Sequence, residues 1–137
     1  PAVRFDSLPL AEVIRPVNKF SNNVMTRQIY LTLGAERGGP PATMAASRVA
    51  LDATLKSAGL GMPELVIDNG AGLSRTTRIS ARSLGRLLQQ AAAGPYRSEF
   101  EASLSIAGLD GTTRRRYRRD AMAGRMHLKT GTLDGVS

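Results

Sequence analysis

The sequence predicts an α+β fold, mostly helical with little strand. Two observations carry this. Apolar residues recur at helical spacing in four separate segments, and a single late stretch, Met126–Leu133, alternates as a strand does. With 137 residues and 42% hydrophobic content, the chain is long enough to bury one real core.

The elements follow in order. Asp6-Ser7 offers N-cap oxygens to a first helix, with Leu8, Leu10, Val13, Ile14 and Val17 near helical spacing. Pro16 should kink or end it. Ser21 is expected to open a second helix carrying Val24, Met25, Ile29 and Leu33, with Gly34 as the residue beyond its end. Residues Glu36 to Pro41 read as a loop. A third helix starts near Thr43, packs through Met44, Val49, Leu51 and Leu55, and stops at Gly59. Leu65-Val66-Ile67 is a strand fragment followed by the turn Asp68-Asn69-Gly70-Ala71-Gly72. Ser80 caps a fourth helix with Leu84, Leu87 and Leu88 on one face, closed by Gly94-Pro95, and Arg97 to Leu104 adds a short helical piece. In the strand, Met126, Leu128 and Thr130 share a side. A lone strand leaves its backbone N–H and C=O groups unpaired, so its partners are expected outside these residues.

Net charge is +8 and arginine supplies most of it; lysine occurs only at 19, 56 and 129. That balance favours anionic partners, whether nucleic acid, a lipid surface or an acidic polymer. The densest patch, Arg114-Arg115-Arg116-Tyr117-Arg118-Arg119, reads as a solvated helix face or an electrostatic contact with such a partner. Aromatic residues make up 4% and do not alternate with the basic ones, which argues against a stacking platform for single strands. No helix-turn-helix or RNA-binding signature is present, so no specific nucleic-acid partner is expected. Cysteine is absent, which excludes disulfides and thiolate metal sites. One histidine without ligand spacing gives no metal site, and no cofactor is implied. No apolar run approaches the ~18 residues of a membrane span. The start, Pro1-Ala2-Val3-Arg4, lacks both an initiator Met and the apolar stretch of a secretion signal, so whatever came before it is expected to have been removed.

Two short motifs carry chemistry. Lys129-Thr130-Gly131 lies about a hundred residues after Ser21-Asn22-Asn23. K-T-G downstream of S-x-N makes two thirds of a penicillin-recognising site. The third part, S-x-x-K, is absent, because no serine here is followed three places later by lysine. An enzyme that cuts a D-alanyl-D-alanine terminus must hold a carboxylate, bind an extended peptide, stabilise an oxyanion and protonate a leaving amine. Lys129 and Thr130 offer a cation and a hydroxyl to the carboxylate. Gly131 lets a ligand strand lie against the backbone. The Thr132 N–H is a candidate oxyanion donor. Ser21, held near Lys129, can pass a proton to the leaving nitrogen, and the Asn23 amide can bind the substrate amide. Strict alternation would place Lys129 and Thr130 on opposite faces, so both serve one cleft only if this strand forms its rim.

The segment Pro16-Val17-Asn18-Lys19-Phe20-Ser21-Asn22-Asn23 resembles the S-x-N region of the D-alanyl-D-alanine carboxypeptidase/endopeptidase penicillin-binding proteins, specifically the low-molecular-mass group with a large insertion. Asp68 to Arg75, Ile79 to Leu84 and Ile106 to Thr112 are similar to the same group, so the likeness runs from about Leu8 to the last residue. It implies a β-lactamase/transpeptidase-like fold, with residues 1–137 as its C-terminal part, truncated at both ends: a mostly helical lobe plus the K-T-G edge strand. It also implies a periplasmic location, peptidoglycan stem peptide as substrate, β-lactam antibiotics as ligands and the rest of the same domain as partner. The acyl-serine belongs to S-x-x-K, which this family places upstream of S-x-N, so the chain alone is expected to be inactive. A β-lactamase of the same fold would need a base for deacylation, and none is evident. A basic nucleic-acid-binding module is the alternative from another class. His127 reads as structural rather than as part of a Ser-His-Asp triad, Gly70-x-Gly72 as a turn rather than a phosphate loop, and Asp134 as a turn residue.

Overall fold

Five α-helices, a 3₁₀ turn and two short strands appear among the described residues of the computed structural model, which are residue 3 and residues 5–134. They divide into two compact units. One comprises Pro1–Asn22 and Pro95–Ser137, the other Asn23–Gly94.

The first unit is built on helix α1, Leu10–Phe20. Its N-cap is Pro9, not the expected Asp6-Ser7. A residue before proline is pushed out of helical geometry, which keeps Leu8 outside the helix, while the Pro9 carbonyl accepts the N–H groups of Glu12 and Val13. Pro16 sits inside α1 without ending it. Proline removes one donor, and the helix runs on to Ser21, whose left-handed backbone closes it with the Ser21 and Asn22 N–H groups on the Val17 carbonyl. Ser21 is therefore the C-cap of the first helix and not the N-cap of the second.

Helix α5 (Arg97–Ser103) packs on α1, and strand β1 (Ser105–Ile106) follows directly. Strand β2 is only His127–Leu128, shorter than the stretch expected. It pairs antiparallel with β1, Ser105 opposite Leu128 and Ile106 opposite His127. The strand thus has a partner within the chain, which corrects the expectation of a lone one. Two residues are too few to show any periodicity, so β1 left no mark on the sequence. Between the strands lie a 3₁₀ turn, Gly111–Thr113, and a run of turns that holds the arginine cluster. The cluster is exposed and is not helical; Tyr117 takes a left-handed φ of 63°. The core of this unit is largely polar. Val17 and Ala107 are buried together with Lys19, Ser103, Ser105 and Thr113.

In the second unit α2 is Asn23–Gly38 and α3 is Met44–Ser57, joined by a short loop. Gly34, expected beyond the end of α2, lies within it. A Cβ there would fall 2.6 Å from the Ser47 backbone nitrogen, so the two helices touch at glycine and serine. Val24 and Val49, expected to pack, are 72% and 71% exposed. Leu84 and Leu88 on α4 (Ala81–Ala93) are also exposed. Val66 of the expected strand fragment makes one antiparallel bridge, to Arg78. Thr43 and Ser80 cap α3 and α4 as the sequence suggests, accepting from the Ala46 and Ser83 N–H groups.

Ser80 also donates to Glu64 at 2.7 Å. Hydrogen bonds from Ser83 and Ser80 pull the Glu64 carboxyl from 4.5 down to about 2. A depressed carboxyl contributes stability above its unfolded pKa and loses it as pH falls through the folded one. Thermal melts of the chain should therefore lose stability between pH ~4.5 and ~2, and the Glu64→Gln variant should show a flatter acid limb. Identical limbs would remove Glu64 from the account.

Candidate active site

At the end of α1, Lys19 turns its side chain inward, 8% exposed as a residue. Its ammonium donates to the Leu104 carbonyl at 3.0 Å and forms an ion pair with Asp110. The other Asp110 oxygen accepts the Ile106 N–H at 2.7 Å. Desolvation alone would raise the Asp110 carboxyl, but the Ile106 N–H and the Lys19 cation outweigh it and hold it below the ordinary carboxylate range. Asn18, one residue earlier, donates to the buried Ser103 hydroxyl at 2.8 Å. These bonds tie the last turn of α1 to the segment that opens β1.

Ser21 stands two residues beyond Lys19, and its position follows from that anchoring. The Lys129 ammonium donates to Ser21 Oγ at 2.7 Å and to the Thr130 carbonyl at 3.0 Å. The two motifs, 108 residues apart, thus meet through one charge-assisted hydrogen bond. Lys129 as a residue is solvent-exposed, yet partial desolvation of its ammonium lowers its pKa below the ordinary lysine value. Thr130 is half-buried, and its hydroxyl lies 2.8 Å from that of Thr112. Lys129 and Thr130 lie beyond the two-residue strand, in irregular backbone, so strict alternation does not apply to them. That removes the geometric objection to both serving one site.

Gly131 and Thr132 are exposed, and nothing lies within 4 Å of a Cβ built on Gly131, so the backbone there is open to a ligand. Asn23, the first residue of α2, belongs to the other unit, where its Nδ2 donates to the Ala71 carbonyl at 2.6 Å. The His127 ring bonds through Nδ1 to the Glu101 carbonyl at 2.8 Å, a structural tie to α5.

A sequence model of the D-Ala-D-Ala carboxypeptidase 3 (S13) family matches residues 2–137. The chain belongs to this family. It is 35% identical over 136 residues to the D-alanyl-D-alanine carboxypeptidase of Actinomadura sp. (strain R39), covering 96% of this chain and 25% of that protein. It is 31% identical over 137 residues to the carboxypeptidase DacB of Mycolicibacterium smegmatis, covering 96% of this chain and 30% of the relative. The S13 chain thus spans between a quarter and a third of the length of these relatives. Its fold matches that of penicillin binding protein 4 (dacB) from Haemophilus influenzae with a TM-score of 0.87 at 22% identity, over 93% of this chain and 28% of that one. A second structure of that protein, complexed with a novel beta-lactam, matches with a TM-score of 0.85 at 22% identity, over 91% of this chain and 29% of that one.

Periodicity and motif spacing assign no role to Lys19, Ser105, Asp110 or Thr112. One signal was present. In a chain whose positive charge is nearly all arginine, three lysines stand out, and two of them, Lys19 and Lys129, hold this part of the S13 chain together.

Asp110→Asn would leave the Lys19 charge short of its partner. The pair is buried on the lysine side and 37% exposed on the carboxylate side. The expected loss lies between the ~3–5 kcal/mol of a broken buried pair and the ~0–1 kcal/mol of a surface one, near ~2 kcal/mol by denaturant titration. A change under ~0.5 kcal/mol would show the pair to be incidental.

Proposed function

We propose that this chain supplies the proton-transfer and carboxylate-recognition half of a serine-type D-Ala-D-Ala carboxypeptidase/endopeptidase that acts on peptidoglycan peptides in the periplasm through an acyl-enzyme. The observation that carries the reading is the 2.7 Å hydrogen bond from Lys129 to Ser21. Lys129 donates, so Ser21 Oγ accepts and keeps its own proton to give. When the tetrahedral intermediate collapses, that proton passes to the leaving nitrogen and the ammonium replaces it. Partial desolvation makes the ammonium a readier donor.

Lys129 and Thr130 are the ligands for the substrate carboxylate, and the open backbone at Gly131 receives the extended peptide. The Thr132 N–H is the candidate oxyanion donor. Asn23 is the candidate ligand for the substrate amide. β-Lactams, whose strained amide and carboxylate imitate the D-Ala-D-Ala terminus, acylate the same nucleophile. That nucleophile belongs to an S-x-x-K triplet, which does not occur in these 137 residues, so the residues alone form no acyl-enzyme. Among the described residues no helix is long and apolar enough to cross a membrane.

The test is labelling of the full-length polypeptide carrying this sequence with a fluorescent penicillin, followed by a denaturing gel. A covalent band that falls at least ~10²-fold in rate in Lys129→Ala is expected, and none from the 137 residues alone. An intact, folded polypeptide that takes no label would overturn the reading. The pH profile gives a second check. Because desolvation lowers the Lys129 pKa, the ammonium is lost at a lower pH than for an ordinary lysine, and the acylation rate should fall on the alkaline side accordingly. Acylation that stays level through the ordinary lysine range would deny Lys129 its donor role.

A further inference from the structure

We infer that Gly111 is a positioning residue: the turn Asp110-Gly111-Thr112 spans the two motifs and sets how closely Ser21 approaches Lys129. The inference rests on the peptidase reading. Each motif has a neighbour that bonds to this turn. On the S-x-N side it is Lys19, two residues before Ser21, whose ammonium pairs with the Asp110 carboxylate. On the K-T-G side it is Thr130, one residue after Lys129, whose hydroxyl lies 2.8 Å from that of Thr112. That tie holds whichever hydroxyl donates. Lys129 in turn donates to the Thr130 carbonyl at 3.0 Å and to Ser21 at 2.7 Å. Ser21 and Lys129 thus meet across a bracket formed by residues 110–112.

At Gly111, the middle of the bracket, the approach is by direct contact. Its φ is +54°, a backbone that glycine accepts without strain. A Cβ there would fall 2.5 Å from the Lys19 carbonyl oxygen and would overlap Ser105 Oγ. Neither obstacle is the tip of a flexible side chain. One is backbone at the end of α1, and the other belongs to a fully buried serine that donates to that same carbonyl at 3.0 Å. Ordinary contact needs ~3.5 Å, so the turn and the end of α1 would have to part by about 1 Å. The turn itself is held to β1, since Asp110 accepts the Ile106 N–H at 2.7 Å and the buried Thr113 hydroxyl donates to the Ile106 carbonyl at 3.1 Å. The end of α1 therefore gives way. It carries Ser21 off, while Thr130 and Lys129 stay with the turn. A misplacement of ~1 Å can cost about 10²-fold in rate.

The experiment compares full-length wild type, Gly111→Ala and Asp110→Asn on two substrates. One is a D-Ala-D-Ala-terminated peptide; the other is a thioester with the same acyl group and a terminal carboxylate. An amine leaves only with a proton and a thiolate leaves without one, so a displaced Ser21 hydroxyl penalises the peptide selectively. For Gly111→Ala, kcat/KM on the peptide should fall about 10²-fold and on the thioester by no more than about threefold. Asp110→Asn weakens the hold on Lys19 without adding bulk, and a smaller loss with the same selectivity is expected. Melting curves by circular dichroism establish that each variant is folded. An equal loss on both substrates, or no loss in a folded variant, overturns the role of the turn and leaves the peptidase reading intact. If Gly111→Ala gives no cooperative melt, the same two outcomes are read from Asp110→Asn. A folded wild type that cleaves neither substrate and takes no penicillin label overturns the peptidase reading, and this proposal with it.

Discussion

The first unit depends on what happens to one ammonium group. Lys19 is nearly buried at the end of α1, where a bare charge would be costly, and it is accepted only because the Leu104 carbonyl and the Asp110 carboxylate receive it. Once satisfied, it fixes three things together. The last turn of α1 is held against the entry to β1. Asp110 is held where it also receives the Ile106 N–H. The Lys19 carbonyl is presented to the Ser105 hydroxyl. Ser21 inherits its place from this arrangement, being the next turn of the same chain.

The unit is unusual in burying more polar than large apolar side chains among its described residues. Serine, threonine and lysine replace the usual aliphatic packing, and each has an identified partner. Directional bonds of this kind specify geometry more tightly than apolar contact does, since a displaced hydroxyl loses its bond rather than sliding along a surface. A site that must place a lysine and a serine within hydrogen-bond distance gains from such a foundation. The second unit is more ordinary: two helices meet at Gly34 and Ser47, with Tyr30, Ala50, Leu60 and Met62 buried.

Much of the helical layout was legible in the sequence because helix periodicity and capping are local signals. Thr43 and Ser80 cap the helices they were expected to cap. Ser21 misled because serine is a common N-cap, while the left-handed backbone that makes it a C-cap is more often a glycine or asparagine trait. Gly34 misled for the opposite reason, since close approach to Ser47 required a missing side chain inside the helix rather than beyond its end. Strand β1 was invisible at two residues. The S-x-N and K-T-G motifs were readable as a pair, and the structure brings Ser21 to Lys129. Lys19, Ser105 and Thr112 were not assigned roles, because a buried hydrogen-bond network between distant segments leaves no periodic trace.

Ser21 has a left-handed backbone with φ 56° and ψ 50°, a conformation that side chains with a Cβ adopt only at some strain. Glycine would occupy it more comfortably, and asparagine tolerates it better than most. Folding considered alone would therefore not choose serine at this position. The hydroxyl sits on a backbone that serine does not favour, so the stability of the chain and the proton-transfer role proposed for this residue make opposite demands on it. A drift toward glycine here would leave a protein that folds at least as well and has lost the oxygen that meets Lys129.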